Sequence, residues 1–284
     1  MSITRVGIVG SGIMGAGIAE VAAATGHEVV LRSRTQEGAD AMLAGLAKSL
    51  AKQVEKEKRT QAEADEIAGR VRATTSLKDL VEVDLVIESV VEDLAVKKAL
   101  FAELDGVCKP GTILATNTST LPVVEMAMAT NRPDLVCGVH FFNPAPAMAL
   151  VEVVRPVTAS DATVEAAIAF AAACGKDPVE VKDQAGFIVN ALLFPYLNNA
   201  VRLLEQGVAT KEGIDAAMKG GCGFPMGPFA LLDLVGLDTS LAILDALYEE
   251  FRDPNYAAVP LLRRLVTSGQ LGRKTKKGFY DYNR

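Results

Sequence analysis

Arg5-Val6-Gly7-Ile8-Val9-Gly10-Ser11-Gly12-Ile13-Met14-Gly15-Ala16-Gly17-Ile18-Ala19 passes from an apolar, β-branched run through spaced glycines into an alanine-rich segment that continues to Ala24. The first part predicts a strand and the last a helix, and His27-Glu28-Val29-Val30-Leu31 predicts a second strand. The chain therefore opens on a βαβ unit. Downstream, the polar and charged stretch from Thr35 to Arg72 predicts an amphipathic helical hairpin, broken near Arg59-Thr60 and inserted outside the sheet. Strand candidates recur at Leu85–Ile87, Thr112–Ala115, Val136–Val139 and Val151–Val154, separated by helix-like segments such as Val96–Leu104 and Leu121–Ala129. Strands alternating with helices predict an α/β fold with a Rossmann-type doubly wound sheet.

After Asp183 the pattern changes. Phe187–Glu205, Lys211–Lys219, Pro228–Phe251 and Ala258–Ser268 all favour helix, so an all-α C-terminal domain is expected. The division is placed at residues 1–184, a dinucleotide-binding domain, and 185–284, a helical domain for substrate binding and dimerisation. No internal repeat is visible beyond alanine enrichment.

Half of the 284 residues are apolar, which supplies a sizeable core. A formal charge of −6 gives no basic field for gathering nucleic acid. Cys108, Cys137, Cys174 and Cys222 lie far apart with no CxxC pair, which suits reduced thiols and points away from a metal framework. Met1-Ser2-Ile3-Thr4-Arg5 lacks the charged and apolar regions of a leader, and no stretch approaches a bilayer span. The expectation is a cytoplasmic protein with no membrane and no metal.

Gly10-x-Gly12-x-x-Gly15 stands between a strand and a helix, where small residues permit a tight turn and helix-terminal N–H groups can meet a pyrophosphate. With Ile13 and Met14 it makes up the phosphate-side cofactor loop. The other half of that fingerprint is an acid after the second strand, which accepts hydrogen bonds from the ribose hydroxyls. Here the strand ends in Leu31-Arg32-Ser33-Arg34-Thr35 instead. Two guanidinium groups and two hydroxyls suit a 2′-phosphate, unless both arginines are simply solvated surface charges. NAD or NADP is the expected cofactor, with use of NADPH favoured.

Thr116-Asn117-Thr118-Ser119-Thr120 follows a strand at the sheet end where ligands gather, and is either a turn or the lining of a site. Of two histidines, His27 in Gly26-His27-Glu28 is expected as a solvated turn residue. His140 follows the apolar run Val136–Val139 and precedes Phe141-Phe142-Asn143-Pro144. Histidine is the natural general base near neutral pH, and it needs a partner to fix its tautomer. Glu152, in Leu150-Val151-Glu152-Val153-Val154, is a carboxylate within an apolar strand, costly there if unpaired. A His140–Glu152 pair answers both needs.

Seven ordered blocks, GSGIMGAGIA (10–19), VIESVVEDLAVKKALF (86–101), TNTSTLP (116–122), HFFNPAPAMALVEV (140–153), DQAGFIVNALLFPYLNNA (183–200), FPMGPFALLDLVGLDT (224–239) and GRKTKKGFYDY (272–282), resemble the 3-hydroxyacyl-CoA dehydrogenase family, closest to its short single-function members. The resemblance spans almost the whole chain. It implies oxidation of a (3S)-3-hydroxyacyl-CoA with His140 as base, Glu152 as its orienting partner, and Ser119 and Asn190 holding substrate and nicotinamide oxygens. It further implies that Glu92, Lys97 and Asn143 approach the cofactor and that Ser49 and Lys56 reach the CoA moiety. A homodimer through the helical domain is implied as well, and closure of that domain over the sheet is expected to exclude water, because Asn190 comes from one domain and His140 from the other. Lys48, Lys52, Lys56, Lys58 and Arg59 form a basic cluster that could bind CoA phosphates, or a solvated face paired with Glu55 and Glu57. The β-hydroxyacid dehydrogenases share the glycine loop but carry a catalytic Lys one turn before an Asn, where this chain has Gly186 before Asn190. A non-catalytic relative of the kind found in the lens would have no need to keep His140, Glu152, Ser119 and Asn190 together.

Overall fold

The parallel strands at the centre of the sheet are near-continuous apolar runs because helices cover both faces and no side chain meets water. In the computed structural model, which describes residues 3–283, β1 (Arg5–Val9), β4 (Leu85–Glu88) and β5 (Ile113–Thr116) are of this kind, with β4 and β5 wholly buried. Met1, Ser2 and Arg284, which include part of the N-terminal stretch considered above, lie outside the described residues.

The elements run β1, α1 (Ile13–Ala24), β2 (Glu28–Arg32), α2 (Gln36–Glu55), α3 (Gln61–Gly69), β3 (Val71–Thr74), β4, α4 (Leu94–Val107), β5, α5 (Val123–Ala127), β6 (Val136–Phe141), β7 (Leu150–Arg155), α6 (Asp161–Ala173) and β8 (Asp177–Lys182). The strand order is β3-β2-β1-β4-β5-β6-β7-β8, with every pair parallel except β6 and β7. The chain reverses its direction of travel across the sheet between β1 and β4. Such a switch point opens a crevice at the carboxyl ends of the strands, and the glycine turn after β1 lies there.

The hairpin forms as its pattern requires. Ala39, Met42, Leu46 and Leu50 recur at helical spacing and are the buried residues of α2. Thr35 caps α2 through Gly38 N–H, and Thr60 with Glu63 forms a capping box on α3. Met42, Leu46, Leu50, Ala64 and Ile67 share one core with α1 and the sheet.

The structure corrects several expectations. Val71–Thr74 pairs with β2 as a strand, so the stretch ending at Arg72 does not lie wholly outside the sheet. β8 and α6 were not anticipated; β8 is an exposed, charge-alternating edge strand, and α6 is so rich in alanine that its apolar face has little contrast. His27 is buried, its Nδ1 lying 3.1 Å from Ala22 O and its ring edge-on to Phe170, so it is not a solvated turn residue.

The contacts divide the chain into residues 1–183 and 184–284. The second unit is helical: α7 (Val189–Glu205), α8 (Lys211–Cys222), α9 (Pro228–Val235), α10 (Leu237–Phe251) and α11 (Pro260–Thr267). The single helix expected over Pro228–Phe251 is two, because Gly236 sits at φ +105° and breaks it. Phe194, Leu197, Phe229, Leu232, Leu244 and Leu247 contribute to its own core.

Candidate functional site

The glycine turn has the shape a pyrophosphate needs. Gly10 takes φ +140°, and a Cβ there would stand 2.1 Å from the Ser89 carbonyl oxygen; one on Gly15 would stand 2.2 Å from the Gly10 carbonyl oxygen. Both must therefore be glycine. At Gly12, the N-cap of α1, a Cβ would meet nothing within 4 Å, so the turn is open on that side. The first turn of α1 carries neither a side-chain cap nor an acid, which leaves its N–H groups and dipole suited to an anion. Ile13 is exposed beside it and Met14 half-buried.

A cavity of about 720 Å³ continues from this turn, bounded by Gly10, Gly12, Arg32, Ser33, Arg34 and Ser89 among others. Arg32 is partly buried, with Nε 3.3 Å from Thr75 O; burial lowers its pKa, Glu103 acts to raise it and Arg34 to lower it. Ser33 is buried and Arg34 exposed. Glu103, which the sequence did not single out, lines the same cavity and sets a carboxylate against Arg32.

Beyond β5 lies a second group of polar side chains. His140 and Glu152 are paired residues of antiparallel β6 and β7, so both side chains leave the same face of the sheet. His140 Nδ1 is 2.8 Å from Glu152 Oε2 and both residues are buried. A carboxylate only accepts, so the imidazole donates from Nδ1 and presents Nε2 as an acceptor. Nε2 is 3.0 Å from Ser119 Oγ. Phe142 packs its ring 4.5 Å from the imidazole, and Asn117 Oδ1 accepts from Phe141 N–H at 2.7 Å, tying the end of β6 to the end of β5. The run 116–120 thus carries the chain off the end of β5 and brings Ser119 to the candidate site.

Glu92 is exposed; its Oε1 accepts from Ser119 N–H at 3.0 Å and from the Thr118 hydroxyl. Lys97 is buried and pairs with Glu88 Oε1 at 2.7 Å and Glu92 Oε2 at 3.2 Å, which makes it a support for Glu92 rather than an exposed contact. Asn143 is exposed just after β6 and precedes a cis peptide to Pro144. Ser49 lies half-buried on α2 beside Gln53, and Lys56 is exposed at the end of that helix. Arg59 donates to Gln53, and Gln53 to buried Glu20, so that member of the basic cluster is spent on fixing the hairpin to α1. Asn190 lies buried in the first turn of α7, within the second unit. Among the described residues no cluster of ligands for a metal is found, and no helix is long and apolar enough to cross a membrane.

Glu88 went unnoticed in the sequence as a site group. Glu88 ends an apolar strand, the same signal that singled out Glu152.

A glycine turn at the switch point of a doubly wound sheet, with a buried His–carboxylate couple on β6 and β7 beyond β4 and β5, defines a dinucleotide-dependent dehydrogenase. The chain belongs to the 3-hydroxyacyl-CoA dehydrogenase family: residues 5–184 match its NAD binding domain and residues 186–282 its C-terminal domain. It is 50% identical over 280 residues to 3-hydroxybutyryl-CoA dehydrogenase of Clostridioides difficile, covering 99% of this chain and all of that one. Human mitochondrial hydroxyacyl-coenzyme A dehydrogenase is 46% identical over 287 residues, covering 99% of this chain and 91% of the relative. The crystal structure of (S)-3-hydroxybutyryl-CoA dehydrogenase from Ralstonia eutropha superimposes with a TM-score of 0.97 at 42% identity, each chain covered in full.

Proposed function

We propose that the protein catalyses reversible oxidation of (3S)-3-hydroxybutyryl-CoA to acetoacetyl-CoA, with His140 as general base. The observation that carries this reading is the hydrogen-bonded chain Ser119–His140–Glu152, in the same sheet that carries the glycine turn. When bound, the nicotinamide supplies the hydride acceptor and donor. His140 Nε2 takes the proton of the substrate hydroxyl during oxidation and returns it in the reverse direction. Glu152 holds the ring and stabilises the imidazolium that forms. Ser119 Oγ, within reach of Nε2, holds the substrate oxygen in line with the base. Asn190 is assigned a substrate-holding amide, and Asn143 and Glu92 contacts to the nicotinamide half, on the family resemblance.

The two domains are proposed as a dinucleotide-binding part and a helical part for substrate and dimerisation. Leu192 and Val208 are 72% and 64% exposed on the helical unit, which favours a homodimer formed through it. Four cysteines far apart in sequence with no CxxC pair, three of them buried as free thiols, suit a reducing, cytoplasmic location.

For the cofactor, Arg32, Ser33 and Arg34 favour acceptance of NADPH alongside NADH. The decisive assay follows oxidation of reduced cofactor with acetoacetyl-CoA and, separately, with free acetoacetate. Turnover of the thioester alone supports the reading. Turnover of the free acid alone would favour a hydroxyacid dehydrogenase, and turnover of neither a binding scaffold.

A further inference from the structure

The carboxyl of Glu88, at the end of β4, is fully buried, yet it is surrounded by donors. Oε1 accepts from Val90 N–H at 2.6 Å and from Lys97 Nζ at 2.7 Å, and Oε2 accepts from Thr116 Oγ1 at 2.7 Å. One side chain therefore joins the turn after β4, helix α4 and the end of β5. Each joined piece leads to the site. The turn at Ser89 closes against Gly10, whose Cα approaches the Ser89 carbonyl too closely for any side chain. Lys97 carries the connection to Glu92, and Glu92 fixes the backbone N–H of Ser119. Thr116 Oγ1 in turn accepts from Thr118 N–H at 3.1 Å.

We propose that Glu88 is a positioning residue, which sets Ser119 against His140 through Lys97 and Glu92 and holds the wall of the glycine turn. This rests on the reading of Ser119 and His140 given above. Two features favour positioning over mere filling of the core. A buried carboxylate and ammonium often give no more stability than apolar groups of the same size would, so packing alone does not account for their presence. Through Thr116 on one side and Lys97 with Glu92 on the other, the bonds also reach the N–H groups of Thr118 and Ser119, where a shift of a few tenths of an ångström alters a hydrogen bond to the base.

The chain has only two histidines, so the test can read His140 directly. Imidazole ¹⁵N spectra of Glu88→Gln and Ser119→Ala, recorded without substrate, should both move the His140 Nε2 resonance in one direction while His27 stays in place as an internal reference. In the kinetic arm, Glu88→Gln should lower kcat for acetoacetyl-CoA reduction by about ten- to hundredfold. Added to Ser119→Ala it should cost less than twofold more, because both remove the same contact. Glu88→Gln with Lys97→Met keeps the buried charge balanced should the single variant fold poorly, and it should show the same spectral shift. An unmoved His140 resonance in a folded Glu88 variant, with Ser119→Ala shifting it, would overturn the proposal and leave the base assignment standing. A silent His140→Ala would instead overturn the base assignment itself. Full additivity of the two losses would show that Glu88 acts on turnover by a route that does not pass through Ser119, and would overturn the proposal.

Discussion

His140 and Glu152 occupy one rung of the antiparallel β6–β7 ladder, and their side chains meet at 2.8 Å on the same face of the sheet. The pairing is a property of strand register. A slip of one residue would turn one of them to the opposite face and break the couple. His140→Gln is expected to lower kcat by roughly two to four powers of ten, the size of a general-base contribution, with little change in cofactor affinity. Rate measurements under conditions where chemistry is limiting check this, and a variant retaining more than about a tenth of kcat would remove His140 from the role.

Glu152→Gln should be nearly as harmful. The amide can still hold the ring, but it can select the wrong tautomer and cannot stabilise a cationic imidazole. Steady-state kinetics alongside thermal unfolding separates this from a folding defect. Normal kcat in the variant would mean that something other than Glu152 orients the base.

Lys56 stands exposed at the end of α2, where it can meet a remote, anionic part of a CoA thioester. Lys56→Ala should raise KM for acetoacetyl-CoA about two- to fivefold at low salt and leave kcat nearly unchanged, as loss of an exposed charge contact does. The difference should shrink as salt rises. An unchanged KM at low ionic strength would return the cluster to a solvated face.

The proposed acceptance of NADPH rests on the cavity wall that includes Arg32, Ser33, Arg34 and Glu103. One charge-assisted hydrogen bond to a 2′-phosphate is worth about 1.5–3 kcal/mol, or at least about tenfold in affinity. Arg34→Ala should therefore lower kcat/KM for NADPH by about tenfold while sparing NADH, and Ser33→Asp should act in the same direction. Glu103→Gln removes the opposing carboxylate and should improve NADPH. If the wild type strongly prefers NADH and Arg34→Ala changes nothing, the arginines do not read the phosphate.

Asp84 supplies a pH-dependent part of the stability. Burial would raise its pKa, but the N–H groups of Arg5 and Thr4, the Lys109 ammonium and the Thr4 hydroxyl overcome this and hold the carboxyl well below its ordinary range. A carboxyl depressed on folding contributes stability that is fully present above its unfolded pKa of about 4 and is lost as pH falls toward the folded value. Asp84→Asn should cost about 1–3 kcal/mol at pH 7. Denaturant unfolding at stepped pH should show the gap between wild type and variant closing below about pH 4, and a gap independent of pH would contradict this account.

Local chemistry fixed much of this in the sequence itself. The glycine spacing between strand and helix, the amphipathic rhythm of α2 and the change to helix after Asp183 are periodic or conformational signals that a short window carries. A carboxylate in an apolar strand and a histidine after another likewise suggested the couple at the centre of the site. What the sequence did not carry is whatever depends on partners distant along the chain. β3 and β8 are edge strands too short or too polar to stand out, and pairing with β2 and β7 makes them strands. His27 is buried because α6 brings Phe170 against it. Glu88, Lys97 and Glu92 look like ordinary charges in order along the chain, and only the packing of α4 on the ends of β4 and β5 draws them together. The fold class follows from periodicity, whereas the network behind the base follows from which strand ends the sheet sets side by side.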